Sequence, residues 1–233
     1  MERMQSNSTF ENEAVRLLRC ANFAAIKHAR QRRKDPQQTP YINHPLGVAQ
    51  ILADEGGITD VEVLMAAVLH DTVEDTDTTF EEIGSHFGPR VREIVEQVTD
   101  DPGLSWQERK HNQILNARRS TYEAKLVKLA DKLYNLRDIN RAYPVGWTEI
   151  RVQRYFDWAR QVCSGLEGTN PLLEDKLRQV FHARQRYTEV HKKCVDIPGH
   201  ECVPDYEAPQ RVQTDENLVG SKPETRKESR LTL

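Results

Sequence analysis

A Ser or Thr followed three residues later by Glu lets a side-chain oxygen and a carboxylate satisfy the free N–H groups at a helix start. This chain carries that pattern at Thr59-x-x-Glu62, Thr78-x-x-Glu81 and Ser105-x-x-Glu108. Apolar residues recur at helical spacing around these starts, beginning with Val15, Leu18, Ala21 and Ala25 within about 11–30. His44-Pro45 opens a second helix that stops at Gly56-Gly57, and a third, mostly apolar, is expected from Val61 to about Glu74. Gly88-Pro89 separates a short helix from Val91–Val98, and Asp101-Pro102-Gly103 reads as a turn. Further helices are expected over 123–141, 148–165 and, after Asn170-Pro171, 171–187. No stretch alternates like a strand, no segment repeats, and no βαβ rhythm is present. The expected fold class is all-α.

With 233 residues the chain has room for one domain and an appendage. The helical patterning fills 1–188, whereas 189–233 holds one aromatic, Tyr206, among Pro198, Pro204, Pro209 and Pro223, and reads as a polar, disordered tail. His191, Cys194, His200 and Cys202 carry zinc-competent donors, but their spacing fits no standard finger, and incidental thiols in a tail are the simpler reading. The longest apolar run, Val63–Leu69, falls far short of the roughly 18 residues of a membrane span. The N-terminus is polar and acidic and lacks the apolar core of a signal peptide. Cys20, Cys163, Cys194 and Cys202 form no CxxC pair and are expected as reduced thiols of an intracellular, cytoplasmic protein.

The net charge of −3 hides a segregation. Between Asp35 and Pro89 there are eleven Asp or Glu and no Lys or Arg, which leaves 25 acids against all 33 basic side chains elsewhere. Arg30, Arg32, Arg33 and Lys34 stand just before the block. Such a layout repels itself unless something positive joins the acidic part; otherwise it is a solvated acidic face.

Three segments carry residues suited to chemistry. In AAVLHDTVEDT (66–76), a continuous helix would put His70 with Glu74 and Asp71 with Asp75 on shared faces. Acids at a helix C-terminus oppose the macrodipole, and a bound divalent cation would reverse that penalty. The alternative is a hydrogen-bonded core histidine beside surface acids. In AKLVKLADKLYNLRDI (124–139), Leu126, Leu129, Ala130, Leu133 and Leu136 form the buried stripe, and Asp131 lies at its edge with Asn135 one turn on. Asp131 either pairs with Lys128 or Lys132, or ligates a metal while Asn135 contacts substrate. In RRKDPQQTPYINHP (32–45), His44 stands at a helix start as a candidate metal ligand, Arg33 and Lys34 suit phosphates, and Tyr41 offers a ring for stacking. A solvated basic loop is the alternative there. HExxH, GxGxxG, P-loop and GxSxG motifs are absent, which removes most nucleotide-dependent transferases and dehydrogenases.

Read together, TPYINHP (39–45), VLHDTVEDT (68–76) and LVKLADKLYNLRD (126–138) resemble the HD-domain hydrolase module of the RelA/SpoT family, over roughly residues 14–185. The short length, the RRKDP loop and Tyr134, where long bifunctional members usually carry His, look most like the family's animal stand-alone branch. The resemblance implies an HD-domain helical bundle that removes pyrophosphate from the 3′ position of guanosine tetra- or pentaphosphate. It implies one Mn²⁺ bound by His44, His70, Asp71 and Asp131, with an acidified water as nucleophile. Glu74 and Asp75 would orient and deprotonate that water or protonate the leaving ribose oxygen. Arg33 and Lys34 would hold phosphates, Asn135 the ribose, and Tyr41 would flank the base. Trp147, Arg151 and Tyr155 match positions near the nucleotide in this branch; otherwise they are a packing stripe with an exposed Arg. For the animal branch it also implies hydrolysis of the 2′-phosphate of NADPH.

The expected partner is thus a small-molecule nucleotide, with no nucleic acid and no membrane. A non-catalytic nucleotide sensor would need no Glu74–Asp75 pair. An RNA binder would need an aromatic-rich basic stripe, and an acidic cleft would repel the backbone.

Overall fold

The computed structural model describes residues 12–195, with side chains through Glu189. Ten α-helices follow one another among the described residues: α1 (Glu13–Lys27), α2 (Asn43–Gln50), α3 (Val61–Leu69), α4 (Thr72–Asp75), α5 (Phe80–Phe87), α6 (Pro89–Val98), α7 (Trp106–Ala117), α8 (Tyr122–Arg141), α9 (Glu149–Ser164) and α10 (Pro171–Val195). Among the described residues the only β-type pairing is an isolated bridge, Arg32 with Pro40, and the all-α expectation is met. The backbone of α10 runs through position 188, and the side chains of His191, Cys194, His200 and Cys202 lie outside the described residues, as does the tail beyond Val195. Cys20 and Cys163 are free thiols. No described helix is long and apolar enough to cross a membrane.

The helix starts are those expected, with one systematic difference. Ser105 and Glu108 form the reciprocal capping box of α7. For α3 and α5 the caps lie one residue later than the pattern places them: Asp60 accepts from the Glu62 N–H at 3.0 Å, and Thr79 from the Glu82 N–H at 3.1 Å. In both places the next residue is itself a strong cap, so the start slips without loss. Glu62 is thereby freed from capping and pairs with Arg16 at 3.2 Å and Arg90 at 2.9 Å. Gly88, at φ 97°, ends α5 and lets Pro89 begin α6 at once.

The helix expected from Val61 to Glu74 is broken. α3 ends at Leu69, His70 and Asp71 make a turn, and Thr72–Asp75 form a separate single turn. Side chains compete for the carbonyls that would continue α3: His70 Nδ1 meets the Ala67 carbonyl at 2.8 Å, and the Thr72 hydroxyl donates to that of Leu69 at 2.7 Å. Glu74 and Asp75 therefore stand in the first turn of α4, and the dipole penalty expected of them at the end of one long helix does not apply.

α3 is the centre of the core. Seven of its nine residues, Val61, Val63, Met65, Ala66, Ala67, Val68 and Leu69, are buried, and it packs against α1, α2, α6 and α8. A helix apolar on nearly every side has to be enclosed by others. α2 continues into a π-helical turn, Ile51–Glu55, closed by the Gly56 N–H on the Ile51 carbonyl at 2.9 Å. This turn, unforeseen from the sequence, places Glu55 against Arg137 of α8 at 2.5 Å.

α2 lies close against α8 because Gly47 has no side chain. A Cβ there would sit 2.1 Å from Cε2 of Tyr134, whose ring is also 4.8 Å from that of His44. Gly47→Ala should therefore destabilise the fold by about 1–3 kcal/mol through overpacking. Urea unfolding checks this, and a Tyr134→Leu background should recover most of the loss. An equal cost in both backgrounds would show that the contact is not the cause.

Candidate active site

Loop 30–42 is drawn into a hairpin-like turn before α2 begins. The Arg33 N–H donates to the Thr39 carbonyl at 2.8 Å and the Tyr41 N–H to that of Gln31 at 3.1 Å. Asp35 caps the turn through the Thr39 N–H at 2.9 Å and hydroxyl at 2.6 Å. Arg33 and Tyr41 are thereby fixed facing α8, and His44 follows in the first turn of α2.

His44 from α2, His70 and Asp71 from the turn after α3, and Asp131 from the middle of α8 converge on one corner. His44, His70 and Asp131 can each place one ligand atom within 4.8 Å of the others. Asp71 Oδ2 lies 3.4 Å from His44 Nε2 and 3.0 Å from His70 Nε2, and Asp131 Oδ1 lies 3.2 Å and 3.7 Å from the same atoms. The donor set passes a direct test for a divalent cation. His70 donates through Nδ1 to the Ala67 carbonyl, which leaves the Nε2 lone pair facing the carboxylates, and Nε2 is a buried atom with no hydrogen-bond partner. A backbone-anchored imidazole with its other nitrogen aimed at carboxylates is how a metal-binding histidine is held. Two imidazoles and two carboxylates suit a first-row divalent ion.

The electrostatics agree. Burial opposes the shift, yet Asp71 and Asp131 hold the His70 imidazole well above its usual range. Against the same burial, His70 and His44 hold Asp71 well below the carboxylate range, and Lys132 with the two histidines does so for Asp131. The carboxylates favour positive charge at this corner, and a proton on His70 Nε2 and a metal cation would compete for the same nitrogen.

Asp131 Oδ2 pairs with Lys132 at 2.7 Å, as one alternative from the sequence has it, and Oδ1 faces the histidines. Asn135 donates to Asp131 at 2.6 Å, and its carbonyl accepts from Arg33 at 2.7 Å. Arg33 also pairs with Asp138 at 3.0 Å. Tyr41, expected as a stacking ring, instead donates its hydroxyl to Asp71 at 2.5 Å, with its ring 4.9 Å from that of His28. Lys34 is exposed at the mouth. Trp147 and Tyr155 line the cleft with ring centroids 5.7 Å apart. Arg151 is exposed, lies 4.5 Å over Trp147, and is not among the lining residues.

Glu74 and Asp75 line the same cleft of about 420 Å³. Partial burial and the charges of Asp100 and Asp71 push the Glu74 carboxyl upward, and the Asp100 N–H approaches it at 3.4 Å. Asp75 is held by Gln31, whose amide donates at 2.8 Å and whose carbonyl meets His28 Nδ1 at 2.6 Å.

Sequence reasoning missed His28 and Gln31 behind Asp75, and Asp100, Lys110 and Trp158 around the far end of the cleft, and it read Lys128 and Lys132 only as candidate partners of Asp131. One signal was available: Lys128, Asp131, Asn135 and Asp138 recur at steps of three and four, a polar stripe beside the apolar one on α8.

The comparisons with known proteins agree with this geometry. The HD domain family matches residues 20–153, which include all four convergent side chains. The mouse protein named guanosine-3′,5′-bis(diphosphate) 3′-pyrophosphohydrolase MESH1 is 62% identical over 173 residues, covering 74% of this chain and 97% of the mouse protein. Its namesake from Xenopus tropicalis is 64% identical over 170 residues, covering 73% and 95%. A solved structure described as a metazoan ortholog of SpoT that hydrolyzes ppGpp superposes with a TM-score of 0.72 at 52% identity, covering 76% of this chain and 98% of that one. The chain therefore belongs to the HD domain family, in the animal stand-alone branch of the RelA/SpoT-type hydrolases.

Proposed function

We propose that this chain hydrolyses guanosine 3′,5′-bis(diphosphate) to GDP and pyrophosphate with one Mn²⁺ held by His44, His70, Asp71 and Asp131. The observation that carries this reading is the orphaned Nε2 of His70 aimed between two carboxylates in a cleft of nucleotide size. The names of the relatives supply the substrate. When bound, the cation supplies a positive charge for a phosphoryl oxygen and lowers the pKa of water.

The protein's own groups do the rest. Glu74, with its carboxyl raised towards neutrality, accepts the proton of the attacking water, and Asp75, pinned by Gln31, orients that water. The water oxygen adds to the phosphorus next to ribose O3′, the P–O3′ bond breaks, and O3′ takes up a proton. One water is consumed for one GDP and one pyrophosphate. Asn135, already bonded to Asp131 and Arg33, stands where the ribose meets the reacting phosphorus. Arg33 and Lys34 receive the 5′-phosphates, and Trp147 and Tyr155 form the wall for the base.

Metal analysis and pyrophosphate release from guanosine tetraphosphate test this reading. Chelation should abolish turnover and Mn²⁺ restore it. His70→Ala and Asp131→Asn should each weaken metal binding by about 100-fold or more. Full activity in either variant sinks the ligand assignment. The same assay on NADPH measures the 2′-phosphatase reaction.

Asp100→Asn tests the role of Glu74. Asp100 disfavours the Glu74 carboxylate, so removing its charge lowers the Glu74 pKa and keeps a base ionised to lower pH. The acid limb of the kcat/KM profile should move down in pH. Movement of the alkaline limb instead would make Glu74 the acid that protonates O3′.

A further inference from the structure

Beyond the metal corner the cleft has a second positively charged end. Lys110 of α7 and Lys128 and Lys132 of α8 line it. Lys132 is buried and paired with Asp131. Among the described residues, no carboxylate stands at ion-pair distance from Lys110 or Lys128. Trp158 fixes the group: Lys110 Nζ lies 4.1 Å and Lys132 Nζ 4.9 Å from its ring centroid, and its indole N–H donates to the Lys110 carbonyl at 3.0 Å. Cation–π contact offsets part of the repulsion between the ammonium groups but neutralises none of their charge. Burial, together with the charge of Lys132, pushes the Lys128 ammonium down to about 8 and that of Lys110 down as well. Asp100, Asp131 and Glu74 act on Lys110, and Asp100 on Lys128, only from beyond ion-pair distance, so an anion entering the cleft supplies the contact partner that these two ammonium groups lack.

The placement along α8 says which anion. On the face that meets the cleft, Lys128 precedes Asp131 by three residues and Asn135 follows it by four. At 1.5 Å per residue that is about 4.5 Å on one side and about 6 Å on the other. The metal corner thus lies between a lysine end and an end formed by Arg33 and Asn135. A phosphorus reacting at the corner, with its ribose towards Asn135, leaves its distal substituent directed at the lysines. A second phosphate one P–O–P link away spans that distance.

We propose that Lys110, Lys128 and Lys132 form a subsite for the distal phosphate of the transferred pyrophosphoryl group, and that this subsite selects a ribose bearing pyrophosphate over one bearing a single phosphate. The assignment rests on the proposed hydrolase reading and names the part of the substrate that the unpaired lysines take.

The test is calorimetric binding of inorganic pyrophosphate and inorganic phosphate to the full chain, beside steady-state turnover of guanosine tetraphosphate. Lys128→Gln and Lys110→Gln are compared with the wild type and with Lys128→Arg, and thermal melts confirm folding. Each Gln variant should weaken pyrophosphate binding by about tenfold or more while changing phosphate binding by less than about threefold. Lys128→Arg should restore most of the loss. Equal weakening of both anions, or of neither, overturns the subsite. If the wild type binds pyrophosphate through these lysines but does not turn over guanosine tetraphosphate, the hydrolase reading fails and the subsite stands. If a Gln variant does not fold, the other variant and Lys128→Arg carry the comparison.

Discussion

The structure depends on bringing two carboxylates and two imidazoles from three separate chain segments into one nearly buried corner. Each carboxylate removed from water costs several kcal/mol unless it is compensated. Compensation comes from more than one direction. Asp131 has Lys132 on one oxygen, Asp71 has the Tyr41 hydroxyl, and both face His44 and His70. The contacts of Asp131 with His44 and His70, and of Asp71 with His44 and Tyr41, are lost if α2 or the turn after α3 moves relative to its neighbours. The close approach at Gly47, the break in α3 and the midpoint of α8 thus form one geometric condition.

The acidic block of the sequence resolves into two populations under this condition. Outer acids are met by basic residues from other segments: Asp77 and Glu82 by Lys27, Asp60 and Glu62 by Arg90, and Glu55 by Arg137. Among the described residues, Asp71, Glu74 and Asp75 have no Lys or Arg at ion-pair distance. The lack of basic residues from Asp35 to Pro89 does not describe a solvated face. Partners brought in from α1, α6 and α8 neutralise the outer acids and leave the cleft acids for a cation. Linear charge counting shows the imbalance but not this sorting, because the neutralising side chains lie 28 to 82 positions away along the chain.

What was legible followed from short-range physics. Capping patterns, Gly-Pro punctuation and apolar periodicity predicted α5, α6, α8 and α9 to within a few residues, and the start of α7, because those signals act within one or two turns. The turn at His70–Asp71 was not legible. It arises from a ring nitrogen and a hydroxyl capturing carbonyls, and periodicity treats those residues as ordinary helix positions. The one-residue slips at Asp60 and Thr79 have a similar origin, since two adjacent capping residues compete and packing chooses between them. In the site, the motif residues His44, His70, Asp71 and Asp131 could be named from the chain, and the structure brings them together. The supporting groups could not. His28 and Gln31 matter only because they stand behind Asp75, and Lys110 only because α7 packs against α9 at Trp158.

This difference between motif and support bears on how one scaffold discriminates among ribose phosphates. On the proposed mechanism the corner takes a phosphoryl group and a water, and a single phosphate and a pyrophosphate offer it the same reacting centre. Discrimination has to come from groups that only one of them reaches, since shared interactions bind both alike. Arg33 is bonded to both Asn135 and Asp138, and Asn135 to Asp131, so the end of the cleft proposed for the ribose is pre-organised. Its opposite end holds Lys110 and Lys128 with no carboxylate at ion-pair distance, and there an added phosphate gains the most. Part of the selectivity for the distal phosphate would then come from Lys110 of α7, a helix that contributes nothing to the metal corner. Substitutions in that helix could retune substrate choice while the catalytic corner stayed intact.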